Sequence, residues 1–105
     1  MPKTQLGSKL EIELDALVQK DLKITIRALK KVKIIAPKKS YARKIAEDFF
    51  EMATAYFNDA LHFKEHNDLL HSVACVNYAH GWLDAGARLG LFDVAEDDQL
   101  FTLAE

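Results

Sequence analysis

The chain has little that punctuates or cross-links a polypeptide: four glycines, two prolines and one cysteine in 105 residues. A single Cys75 excludes an internal disulfide and a CxxC zinc site, and fits a reducing compartment. No apolar run approaches the ~18–20 residues of a membrane span. The opening MPKTQLGSK lacks the apolar core of a signal peptide, so a cytoplasmic protein is expected. There is no GxGxxG, P-loop, HExxH or GxSxG motif, and no Ser/His/Asp or Cys/His set at suggestive spacing. Catalysis is therefore disfavoured. Basic residues are nearly missing from one part of the chain. Residues 45–105 hold two Lys/Arg against twelve Asp/Glu, whereas residues 1–44 hold twelve against four. A net charge of −2 hides this segregation, which bears on partners or self-pairing and not on fold.

What is present is an ordinary globular composition, 50% hydrophobic and 29% charged, enough for one domain spanning residues 1–105 with a core of its own. Three helices are expected. Ser8-Lys9-Leu10-Glu11 fits a capping box at the start of the first. Leu10, Leu14, Leu17, Ile24, Ala28, Val32 and Ile35 then recur at helical spacing. The segment from Leu22 to Arg27 also alternates like a strand, but has no turn chemistry at its edges. The helix should stop by Ala36, because the residue before Pro37 is disfavoured in the α region. The second helix, about 38–65, carries a seam of Ala42, Ile45, Phe49, Met52, Tyr56, Ala60 and Phe63, broadened by Ala46, Phe50, Ala53, Phe57 and Leu61. That width implies two helical neighbours. The third helix, about 68–89, is capped by Asn67 or Asp68 and ended by Gly90 in the left-handed region. The expected architecture is all-α: an up-down-up three-helix bundle with a C-terminal acidic tail at 92–105.

The segment Tyr78-Ala79-His80-Gly81-Trp82-Leu83-Asp84-Ala85-Gly86-Ala87-Arg88-Leu89-Gly90-Leu91-Phe92, with the earlier run from Ala55 to Phe63, resembles the archaeal domain-of-unknown-function family 357. The resemblance covers about residues 40–92, and the first helix by pattern only. Where the family has Gly-Asp at the second turn, this chain has Asn67-Asp68. The resemblance implies a three-helix bundle and an archaeal source, and supplies no catalytic residues.

Several residues stand out within this frame. Gly81 and Gly86 sit inside a helix, where each costs about 0.5–1 kcal/mol relative to alanine. Gly81 should come level with Met52, near Phe49 and Tyr56, and leave room for them; close approach of a ligand or second protomer is the other reading. Trp82 can face helix one with Cys75 and Tyr78. Asp84 and Arg88 are an i,i+4 pair that either fixes register or marks a polar pocket with Tyr56 and Asn77; Asp59 is similarly ambiguous. His62, His66, His71 and Cys75 flank one turn at spacings that suit Zn²⁺ only weakly. No cofactor is expected.

Lys38, Lys39, Arg43 and Lys44 crowd the start of helix two, where free amides already favour an anion, so a phosphate or an acidic partner fits there. The tail carries Asp93, Glu96, Asp97, Asp98 and Glu105 with apolar anchors Phe92, Val94, Leu100, Phe101 and Leu103. It should fold back over this basic pole or dock on a second protomer. The function these features favour is a non-catalytic helical interaction or assembly module, with a homodimer or another protein as partner. The alternative is a nucleic-acid-associated protein using the basic pole around residues 20–44 without sequence specificity. A small-ligand binder at Tyr56, Asn77, Asp84 and Arg88 is a third.

Overall fold

The computed structural model of the chain describes residues 5–95, 97 and 99–101. Three helices make up most of it: α1 Gln5–Lys31, α2 Tyr41–Glu65 and α3 Leu69–Arg88. Two short strands, β1 Lys33–Ile34 and β2 Phe92–Asp93, pair antiparallel with Lys33 opposite Asp93 and Ile34 opposite Phe92. The fold is the expected all-α three-helix bundle, with α3 packed on both other helices.

Two boundaries of α1 differ from the sequence reading. The helix is already formed at Gln5, so Ser8 lies inside it and the capping box does not mark its start. Gly7 weakens a helix by about 1 kcal/mol without forbidding it. At the other end α1 stops at Lys31, five residues short of Ala36, because residues 33–34 turn out to pair with the strand after α3. Local propensity is overridden there by a pairing partner nearly sixty residues away.

The other ends follow side-chain chemistry. Ser40 caps α2, its Oγ accepting the Arg43 amide at 3.1 Å, and Asp68 caps α3 by accepting the His71 amide at 3.2 Å. Between them Asn67 takes a left-handed φ of 57°, which asparagine tolerates. Gly90 has φ 75° and lets the Leu91 amide close on the Gly86 carbonyl at 2.9 Å, the helix-ending motif foreseen from its position.

The core divides in two along the bundle. One cluster joins Val18 and Leu22 of α1 to Phe57 and Ala60 of α2 and to Val76 and Ala79 of α3. The other, nearer β1 and β2, joins Ala28, Ala46, Ala53 and Leu83 to Phe92, Val94, Leu100 and Phe101 from beyond α3. On α2 the fully buried residues are Ala46, Ala53, Phe57 and Ala60, whereas Ile45, Phe49, Met52, Tyr56 and Phe63 are only partly buried and Ala42 is exposed. The buried centre is thus rotated toward the small residues. Alanines spaced by seven let α2 and α3 approach closely.

The tail is a component of the core. Phe92, Val94, Leu100 and Phe101 are each at most 6% exposed, and they reach it within the same chain. Gly86 makes room for this: a Cβ built there would lie 2.8 Å from Phe92 Cζ and closer still to two other ring atoms. Gly81 is the opposite case. A Cβ there would meet nothing within 4 Å, so the expectation that it relieves Met52, Phe49 and Tyr56 is not met. Trp82 also departs from expectation: it packs edge-on against Phe49 of α2, with ring centroids 5.0 Å apart, and against Tyr78.

Candidate functional site: a polar groove and two charged faces

α1 and α3 run side by side with an offset of about 55 residues between facing positions, as the Thr25–His80 contact shows. Between them lies an open groove of about 270 Å³ lined by Asp21, Ile24, Thr25, Asn77, His80, Gly81 and Asp84. Of the four residues expected to share a polar pocket, Asn77 and Asp84 line it and Arg88 does not. Tyr56 faces elsewhere, edge-on to Tyr78 at 4.4 Å.

His80 is the hinge of this groove. Its Nε2 donates to the Leu100 carbonyl at 2.7 Å, which leaves Nδ1 to accept from the hydroxyl of Thr25, itself 1% exposed, at 3.0 Å. The ring stacks on Phe101, and its Nε2 lies 3.7 Å from Asp84 Oδ1. One imidazole therefore ties α1, α3 and the tail together. Asp84 lies beside His80, four residues back on the same helix. Asp21 and Thr25 of α1 were missed as groove residues because a fifty-five-residue offset is not a sequence spacing, whereas His80 stands at helical spacing from Asn77 and Asp84 and could have been found there.

The histidine set near the second turn does not converge. His66 Nδ1 donates to the His62 carbonyl at 2.8 Å, and His71 Nδ1 donates to Asp68 at 2.8 Å. The His71 hydrogen bonds hold the Asp68 carboxyl below the usual carboxylate range. Burial, and then the charges of Asp59 and Asp68, push the Cys75 thiol upward, away from the thiolate that metals and nucleophilic chemistry require. Among the described residues no three His, Cys, Asp or Glu are grouped to hold a metal ion.

At the start of α2 the four cations are used unequally. Arg43 is turned inward: Nη1 donates to the carbonyls of Ala36 at 3.2 Å and Ile34 at 3.4 Å, and Nε pairs with Glu47 at 3.0 Å. It fastens the α1–α2 connection, and Ser40 already takes the Arg43 amide. Lys38, Lys39 and Lys44 are exposed. The tail covers the end of α1, with Asp93 opposite Lys33 in the ladder and Asp97 Oδ2 3.5 Å from Lys31 Nζ. Glu96, Asp98, Leu103 and Glu105 lie outside the described residues.

Asp97 accepts the amides of Leu100 at 3.0 Å and Gln99 at 3.1 Å; with Lys31, and with the Leu100 amide foremost, these hold its carboxyl below the usual range. A depressed folded value stabilises above the ordinary aspartate pKa of about 3.9, and the gain is lost as pH falls through the lower folded value. Urea midpoints measured from pH 6 downward should fall below about pH 4. The fall should be shallower in D97N; superimposable acid limbs would refute this role for Asp97.

The sequence matches the family model described as "Protein of unknown function (DUF357)" over residues 20–92, which is more than half of the chain. The chain belongs to the DUF357 family. The matched region of this DUF357 protein begins at Lys20 and includes the second half of α1, both other helices and Phe92, so it holds every residue of the polar groove. No curated protein and no solved structure matches the chain. Among the described residues, no helix is long and apolar enough to cross a membrane.

Proposed function

We propose that this DUF357 protein is a cytoplasmic, non-catalytic helical module that acts by docking on other polypeptides. What carries the reading is α1. With Thr25 level with His80, Leu14 falls level with Leu69 at the start of α3, and everything before it runs beyond the α2–α3 turn. Along this stretch and beside it Leu10 is 56% exposed, Leu17 43% and Leu70 69%. Single exposed leucines are ordinary, but a row of them at one end of a small domain is the kind of surface that partners cover. Leu10, Leu14 and Leu17 also continue the helical face that packs into the bundle further on, so a partner helix could extend the same packing.

A photo-crosslinking residue placed at Leu17 in cells of the source organism tests this. Discrete adducts are expected from position 17 and not from exposed Asn58, and Leu10→Glu should abolish them. Equal, diffuse labelling at both positions would overturn the reading. A second reading, non-specific nucleic-acid association, is supported by the exposed cations of α1 between Lys20 and Lys31.

A further inference from the structure

The charge segregation along the sequence becomes a segregation of faces in the fold. Lys20, Lys23, Arg27, Lys30 and Lys31 are all exposed, and at 100° per residue they fall within an arc of about 100° on α1. The nearest acid, Asp21, points away into the polar groove. On α2, Glu47, Asp48, Glu51, Asp59 and Glu65 are exposed within an arc of about 120°. Among the described residues no salt bridge joins one stripe to the other: Lys31 pairs with Asp97 of the tail, and Glu47 with Arg43 of its own helix. Each stripe faces solvent with its charge largely uncompensated.

We propose that the two stripes are one self-complementary interface, and that the partner is a second copy of this chain, with α1 of each copy lying antiparallel on α2 of the other. The proposal rests on the interaction-module reading but uses a second face of α1, turned away from Leu10, Leu14 and Leu17. α1 and α2 are antiparallel neighbours in one copy, with Gln19, Leu22 and Lys23 level with Leu61, Lys64 and Glu65 along a shared groove of about 560 Å³. A twofold axis parallel to the helices preserves every residue's height while exchanging α1 for α2 across the interface. Lys20 and Lys23 then face Glu65 and Asp59 of the second copy, Arg27 faces Asp59, and Lys30 faces Glu51. Leu61, 38% exposed, and the groove beside it lie at the middle of this four-helix arrangement and supply its apolar contact.

An interface built mainly on exposed charge pairs is weak and strongly screened by salt. Sedimentation velocity of the full chain over a concentration series should show a monomer–dimer equilibrium at about 20 mM salt. Its dissociation constant should rise by roughly tenfold or more at about 0.5 M. K23E/R27E/K30E should abolish dimerisation, as should E51K/D59K. The quintuple variant, which exchanges the sign of both members of each of these pairs, should restore it. Circular dichroism checks that each variant keeps its helices, and all five positions are exposed.

A chain that is monomeric at every concentration and salt, a dimer indifferent to salt, or a folded quintuple variant that stays monomeric would each overturn the proposal. If the low-salt monomer instead binds duplex RNA or DNA and K23E/R27E/K30E removes that binding, α1 is a nucleic-acid surface and self-pairing is refuted. A monomer that still yields discrete Leu17 adducts with a different protein would refute self-pairing and leave the docking-module reading standing.

Discussion

Gly86→Ala should destabilise the protein by about 2–3 kcal/mol, while Gly81→Ala, five residues earlier on the same helix, should stabilise it by about 0.5–1 kcal/mol. Both substitutions add one methyl group to the interior of α3, and helix propensity favours both equally. The difference is what the methyl meets. At Gly86 it would enter the Phe92 ring, a residue only 3% exposed and held in place by the β1–β2 ladder, so the ring or the strand must shift. At Gly81 nothing lies within 4 Å, and the propensity gain is unopposed. Urea denaturation of the two variants beside the parent measures both signs. A stabilised Gly86→Ala variant would show that the tail does not pack against α3 in solution.

The second large effect concerns the tail as a whole. A chain ending at Leu91 loses Phe92, Val94, Leu100 and Phe101, and burial of each such side chain contributes about 1.5–3 kcal/mol. Against a total stability of about 5–15 kcal/mol for a domain, that loss removes most of the margin. It also uncovers Leu83 and Ala28 and strips His80 of the Leu100 carbonyl it donates to. The expected outcome is a helical chain without a cooperative thermal transition, read as loss of the sigmoidal melt by circular dichroism. An unchanged melting temperature would mean that the segment after Leu91 is dispensable, contrary to its burial.

The architecture was legible because three long helical periods need only local information. Ser40, Asp68 and Gly90 end or begin their helices by hydrogen bonds to residues three to five positions away, and such chemistry is visible in a sequence. The tail's apolar anchors and its acidic match to the end of α1 were likewise readable as composition. What failed locally failed for a shared reason. The end of α1, the packing of Gly81, the side Trp82 faces and the company of Asp84 all depend on how far one helix slides or turns against another. A rotation of about 100° about a helix axis is one residue in sequence, and periodicity alone does not resolve it.

The same holds for the candidate surfaces. That cations concentrate before residue 45 and acids after it is a property of the sequence. Whether they would neutralise each other within one chain was decided by the tertiary structure, which turns them onto separate outer faces of α1 and α2. Arg43 shows the reverse: counted as part of an anion-binding cluster by its neighbours in sequence, it is drawn inward by the Ile34 and Ala36 carbonyls that the β1 ladder leaves nearby. The sequence by itself determined the three helices, the caps of α2 and α3 and the sign of charge on each, because those follow from neighbours within about one helical turn. The tertiary structure alone decided the offset of α1 on α3, and with it the polar groove, the lock of His80 on the tail and the outward charged faces. Contacts between residues fifty or more positions apart depend on how complementary surfaces fit, and that fit is settled only when all three helices and the tail pack together.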